Sequence, residues 1–242
     1  MIWRLGYTML LWVMLPMVLA RLWRRGLRES VYRVARSERF GWYSLPDNGR
    51  REQRTIWVHA VSLGEVNAAR PLIERLITRY PKDRILFTQM TATGRVAAQR
   101  LFGERVRIVW LPYDYPFAVR RFLDAFRPDI GVIIETEVWF NLIHECHRNR
   151  IPLLLANARL SKKSFRGYSW IAPLARSAFA AFDEIAAQTT ADAERFSSLG
   201  ARATSVMGNL KFDIEAVAGS EQLGETFKSG YAGRSAFLVA ST

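Results

Sequence analysis

Cysteine is almost missing from this chain of 242 residues. The single Cys146 cannot close an intramolecular disulfide, which excludes the small secreted disulfide scaffolds and favours a reducing compartment. Histidine is nearly as scarce, at three. Two of them stand in His144-Glu145-Cys146-His147, an H-x-x-H spacing on a helical pattern. With one cysteine beside it this is a poor zinc site and reads as helix surface; no metal is expected. Neither a G-x-x-x-x-G-K-[ST] loop nor a G-x-G-x-x-G run occurs, which argues against an NTPase or a dinucleotide enzyme. Internal repeats and low-complexity tracts are also lacking. Acidic residues are few, 22 against 35 lysines and arginines, leaving a net charge of +13.

That charge is uneven. Residues 1–54 hold eleven arginines against four acids, more than half the surplus in under a quarter of the chain. Such a block suits anionic lipid or nucleic acid alike. The preceding run decides between them: sixteen uncharged residues, LGYTMLLWVMLPMVLA, lie between Arg4 and Arg21 and are interrupted by Pro16. A straight membrane span needs about 20 apolar residues, so the run is slightly short. Trp3, Trp12 and Trp23 suit a membrane interface, and Arg4 and Arg21 can snorkel to headgroups. Val18-Leu19-Ala20 would pass as a signal-peptide cleavage site, but the basic RLWRRGLR directly after it opposes export. The expectation is an uncleaved anchor with basic flank, residues 1–30, on an anionic surface with the remaining chain in the cytoplasm. Both a spanning and a surface-lying anchor fit. No aromatic platform is evident among the basic residues, so nucleic acid is not an expected partner.

From residue 55 the pattern changes to short apolar runs alternating with amphipathic stretches. Strands are predicted at 55–61, 84–90, 106–112, 130–136, 151–157, 184–189 and 203–209. Helices are predicted near 66–80, 93–102, 116–126, 138–149, 162–181 and 190–199. The strand runs are continuously apolar, as in strands buried on both faces. Strands alternating with helices of this length imply βαβ units and a parallel sheet. The fold class expected is α/β, a Rossmann-like doubly wound parallel sheet over residues 31–210. Residues 211–234, with glycines at 219, 224, 230 and 233, read as an interdomain linker. SAFLVAST, 235–242, then reads as the first strand of a truncated second domain.

In an open parallel sheet, ligands bind beyond the carboxyl ends of the strands. Three motifs fall there. HAVSLGEV (59–66) contains Ser62-Leu63-Gly64-Glu65, an S-x-x-E capping box, and taken alone it reads as a helix start. TQMTATGR (88–95) offers the hydroxyls of Thr91 and Thr93 beside Gly94 for sugar or anion contact, or simply for capping. ETEVWFN (135–141) places Glu135 and Glu137 at the end of an apolar strand, where carboxylates either favour a helix start or form a site. A basic loop, ANARLSKKSFRGY (156–168), brings Arg159 after the fifth strand; it could meet a phosphate, or carry solvated charges.

Together HAVSLGE, TQMTATG, LPYDYP, IETEVW-N, IPLLLANARLS, AAQT, GNLKFD and the terminal VAST resemble the Kdo transferases of lipopolysaccharide synthesis. The resemblance runs in order through nearly the whole chain and covers the N-terminal, acceptor-binding half of the family. It implies the GT-B architecture and inverting transfer of 3-deoxy-D-manno-octulosonic acid (Kdo) from CMP-Kdo to a lipid A precursor, with no cofactor, at the cytoplasmic face of the inner membrane. It implies Glu65 as the proton acceptor and Glu135 and Lys211 as transition-state stabilisers; Ser62, Gly64, Thr91, Thr93, Glu137 and Arg159, in or beside the same motifs, are the candidate substrate contacts. One position departs: Phe140 stands where the family usually has proline. Two other readings compete, another membrane-associated GT-B glycosyltransferase with a different sugar, and a non-catalytic module that holds anionic lipid.

Overall fold

A computed structural model describes residues 2–44, 53–213, 225, 226 and 228. It opens with a long helix, α1 (Ile2–Arg28), followed by two short 3-10 turns (Ser30–Arg33 and Arg36–Phe40). Then strands and helices alternate: β1 (Thr55–His59), α2 (Leu63–Arg79), β2 (Arg84–Gln89), α3 (Ala92–Phe102), β3 (Arg107–Trp110), α4 (Pro116–Phe126) and β4 (Ile130–Ile134). They continue with α5 (Phe140–Arg148), β5 (Leu153–Ala158), α6 (Lys162–Trp170), α7 (Ala172–Phe179), β6 (Glu184–Ala187), α8 (Thr190–Ser198) and β7 (Thr204–Val206). The seven strands form one parallel sheet in the order β3-β2-β1-β4-β5-β6-β7. The order reverses between β1 and β4, so a crevice is available where the loops after these two neighbours diverge.

The apolar runs are continuous because alternate residues serve opposite faces. Trp57, Leu86, Val109 and Ile133 pack against α4, α5, α7 and α8, among Phe122, Ile143, Phe179 and Phe196. Ile56, Val58, Ile85, Phe87 and Val132 pack on the other face against α2 and α3, among Val66, Ile73, Ala98 and Phe102. In β1, β2, β4 and β5 nearly every position is buried whichever face it serves, so no two-residue alternation shows.

Three details differ from expectation. The single helix over 162–181 is two, broken at Ile171, with Pro173 in the first turn of α7. Proline suits the first turn of a helix and opposes its interior. The last strand is short, Thr204–Val206. The helix beginning near 138 starts at Phe140, so the residue that replaces the family's proline occupies the first helical position, where proline itself would be at home. Lys211 lies in a 3-10 turn (Leu210–Asp213), while most of the linker and the whole strand read at 235–242 fall outside the described residues.

The basic segment after α1 protects the sheet edge. The Glu38 carboxylate accepts the Trp110 amide (2.8 Å) and pairs with Arg95 (3.2 Å). Arg39 lies 4.0 Å above the Trp110 ring and donates to the Met90 carbonyl (2.9 Å). Part of the N-terminal charge surplus therefore does structural duty at β3, where an open edge would otherwise invite pairing.

α1 lies along the domain. A half-buried stripe at Arg4, Tyr7, Thr8, Leu11, Met14, Leu15 and Val18 recurs every three to four residues and leads to buried Leu22. Polar contacts bind its first turns: Tyr7 donates to Asp114 (2.9 Å), while Arg4 and Thr8 donate to the Asn141 side-chain oxygen (3.3 and 3.1 Å). The Tyr115 hydroxyl donates to the Leu11 carbonyl (2.8 Å). The opposite face exposes Trp3, Leu5, Met9, Leu10, Trp12, Val13, Met17 and Trp23 to solvent.

Candidate functional site

Glu65 stands in the first turn of α2, immediately beyond β1. Its carboxylate accepts the Val61 amide (2.6 Å) and the Ser62 hydroxyl (2.9 Å). The capping box is only half built: the carboxylate reaches back as expected, but the Ser62 hydroxyl donates to it and caps no helix amide. Glu65 is 7% exposed. Burial raises its pKa, reinforced by the charge of Glu135; the bonds from Val61 and Ser62 oppose the shift. A carboxylate has about four acceptor positions, so two such bonds leave capacity for another donor.

Glu135 follows β4, the sheet neighbour of β1, and its amide donates to the Ala156 carbonyl (2.9 Å). Its backbone is left-handed (φ +61°), a conformation costly for glutamate and concentrated at functional sites. Its Oε1 lies 3.6 Å from Lys211 Nζ, bringing together two residues separated by most of the domain's second half. Glu137 is the third acid. Burial, then the charges of Glu65 and Glu135, push its pKa up to about 7. Like-charged carboxylates that share a partly buried site resist ionising together.

The other expected contacts divide. Thr91 caps α3, accepting the Gly94 amide (3.2 Å) and donating to the Val61 carbonyl (2.9 Å). A Cβ at Gly94 would meet Thr91 Oγ1 and the Val61 carbonyl at 3.0 Å, so only glycine permits this approach without a shift. Thr91 thus steadies the peptide that holds Glu65. Beside Gly64 the nearest atom to an added Cβ would be Ser62 Oγ at 4.0 Å, leaving open space next to the carboxylate-bearing turn. Thr93 lines a groove of about 780 Å³ with Arg28, Val31, Leu63, Val96 and Arg100. Arg159 is exposed, and its amide donates to the Thr136 hydroxyl (3.1 Å), joining the loops after β4 and β5.

Other residues take structural places. His59, in the same motif as Glu65, is fully buried with Nδ1 against Thr88, and burial lowers its pKa to about 4, so the ring is neutral. In the H-x-x-H helix, Glu145 pairs with Arg120 (3.1 Å) and Arg148 (2.9 Å), while Cys146 is buried in the core. Sequence reasoning passed over Asn157 and Asp114 as individuals, although both stand inside the quoted motifs. An asparagine ending an apolar strand and an aspartate between two tyrosines were the available signals.

Fold and site define a doubly wound α/β domain of the GT-B type, with a cluster of acids and a lysine at the topological switch. Residues 35–214 match the family model for 3-deoxy-D-manno-octulosonic-acid transferase (Kdo transferase), and the chain belongs to that family. It is 37% identical to a 3-deoxy-D-manno-octulosonic acid transferase of Bordetella pertussis, covering 98% of this chain and 56% of that protein. It is 35% identical to the protein of that name from Haemophilus influenzae, covering 88% and 50%. The chain therefore spans about half the length of these curated relatives. A UDP-GlcNAc 2-epimerase from Neisseria meningitidis shares the fold, with a TM-score of 0.51, 13% identity, and 74% and 54% of the two chains covered.

Proposed function

We propose that this chain is the acceptor-binding half of an inverting transferase that moves Kdo from CMP-Kdo to a lipid A precursor. The observation that carries the reading is Glu65, a buried carboxylate with unspent acceptor capacity at the sheet's reversal point. In the proposed step an acceptor hydroxyl attacks the anomeric carbon of Kdo. The bond from that carbon to the CMP oxygen breaks, CMP leaves with the electron pair, and the hydroxyl proton passes to Glu65. General-base assistance of this kind contributes about 10²–10⁴ in rate. Direct displacement inverts the anomeric centre without a covalent intermediate. Glu135 and Lys211 stabilise the transition state, and Ser62, Gly64, Thr93, Glu137 and Arg159 border the substrates. A monophosphate leaving group carries less charge than a diphosphate, so fixed cations and helix N-termini suffice for it. The donor is held mainly by a second half that follows the linker.

The acceptor is an anionic, acylated lipid, and two features suit it. The exposed apolar face of α1 and the row Arg21, Arg24, Arg25 and Arg28 match a membrane surface better than a span, because the other face of α1 is bonded to the domain from its first turns. Both features support the reading that the protein works at the cytoplasmic face of the inner membrane. Arg28 lines both the arginine row and the groove beside Leu63 and Thr93, so a basic path leads from the headgroups to the turn bearing Glu65.

A second reading has its own observation. The Val61 and Ser62 bonds are also what a carboxylate serving only as a cap would make, and the domain would then be a non-catalytic holder of anionic lipid. The test is incubation of the full-length protein with CMP-Kdo and lipid A precursor, followed by mass analysis of the lipid. A mass increase by Kdo units supports transfer, and lipid binding without it supports the second reading.

A further inference from the structure

We propose that Asn157 is a positioning residue that seats Lys211 against Glu135. The proposal rests on the reading of Glu135 and Lys211 as groups acting on the transition state. The pairing of β4 with β5 stops at Ile134 and Ala156, and at the next residue of each the backbone enters the left-handed region, Glu135 at φ +61° and Asn157, at the register shift inside β5, at φ +56°. Asparagine tolerates that conformation better than most residues. Asn157 is fully buried. Its Oδ1 accepts the Leu210 amide (3.1 Å), its carbonyl accepts Gln188 Nε2 (3.1 Å), and its amide meets Met207 Sδ at 3.2 Å.

The bond to Leu210 is the one that matters for the site. Leu210 is buried among the side chains between the sheet and α2, and the next residue is Lys211. The Lys211 amide donates to the Asn209 side-chain oxygen (3.0 Å), closing the turn, and its ammonium lies 3.6 Å from Glu135. One buried side chain thus fixes where residues 207–213 return across the ends of β4 and β5. Burial of Leu210 alone would hold the segment near the sheet without fixing the height of the following residue. The carboxamide acceptor supplies that register.

The test uses the full-length enzyme. Asn157→Gly keeps the left-handed backbone accessible and removes the acceptor, whereas Asn157→Asp keeps an acceptor there. Asn157 Nδ2 has no partner among the described residues, so the Asp variant gives up no bond seen there. Asn157→Gly is expected to lower kcat by roughly 10- to 100-fold, as misplacement of a catalytic group does. The KM for acceptor should stay within about threefold, and Asn157→Asp should recover most of the loss. The double variant with Lys211→Ala should fall no further than Lys211→Ala alone, because a residue acting through Lys211 then has nothing to act on. Hydrogen exchange at the Leu210 amide should quicken in Asn157→Gly and not in Asn157→Asp. Losses that multiply in the double variant, or Leu210 exchange unchanged in Asn157→Gly, would overturn the proposal. Full turnover by Lys211→Ala with a responsive Leu210 amide would instead locate the failure in the role given to Lys211, and the proposal would fall with it.

Discussion

Two buried acids in this molecule invite comparison, Asp114 where α1 meets the domain and Glu65 in the crevice. Both are less than a tenth exposed, and burial raises the pKa of each, that of Asp114 to about 7. Both accept backbone amides. Asp114 takes those of Asn141 (2.9 Å) and Leu142 (2.8 Å) at the start of α5, and also the Tyr7 hydroxyl. These donors come from α5 and α1, so its contacts tie separate elements together. Those of Glu65 come from its own turn, beside the open space at Gly64. A raised pKa and low exposure therefore do not mark a site by themselves. What differs is whether the group faces its own scaffold or a place a ligand can reach.

The comparison breaks most sharply on Glu65→Gln. Transfer by the full-length enzyme should fall by about 10²–10⁴, while the melting temperature stays nearly unchanged, since Gln can still accept the Val61 amide. A lowered melt with near-normal activity of the folded fraction would make Glu65 a cap. Next in size, Lys211→Ala and Glu135→Ala should each lower kcat by roughly 10–100-fold with little change in acceptor KM, read by initial rates at varied acceptor.

Asp114→Asn should show the reverse pattern, a loss of about 1–3 kcal/mol in stability, because one amide donor loses its partner, with the activity of folded protein retained. Its pH dependence has a definite sign. A folded-state pKa raised to about 7 from 3.8 gives stability that is complete below pH 3.8 and lost as pH rises through 7. The gap between wild type and Asp114→Asn in thermal melts should therefore narrow from about pH 4 to pH 7. Glu137 shifts in the same direction but is common to both proteins and cancels in the difference. The smallest effect concerns the surface. Replacing Arg21, Arg24 and Arg28 by Gln should weaken binding to anionic vesicles by about 1 kcal/mol per residue in low salt, and by less in high salt. Co-sedimentation at two ionic strengths measures it.

Much of this was legible in the chain. The order of elements could be read because the central strands β1, β2, β4 and β5 are covered on both faces, so each appears as a largely apolar run. Glu65, Glu135 and Lys211 were named through the family resemblance of their motifs, and the structure brings Glu135 and Lys211 into an ion pair and Glu65 within electrostatic reach of Glu135. The break at Ile171 had a signal in Pro173 that a long amphipathic pattern obscured. The turns over 30–40 left no such signal, since Glu38 and Arg39 are fixed by partners at Trp110 and Met90 far along the chain. Asn157 was illegible as a positioning residue for the same reason: its partner Leu210 is 53 positions away. In α1 the apolar residues surround the helix, so no periodicity could separate the face that meets the domain from the exposed one.

The bonds from Tyr7, Thr8 and Tyr115 have a mechanical consequence. A tethered enzyme would bob above its membrane on a slack leash and sample many heights. Here the helix is bolted to the loop at 113–115 and to the start of α5, so the distance and tilt of the crevice relative to the exposed face of α1 are dimensions of the fold. On the proposed reading, in which that face meets a membrane, the domain resembles a plane set in its block, with a fixed depth of cut.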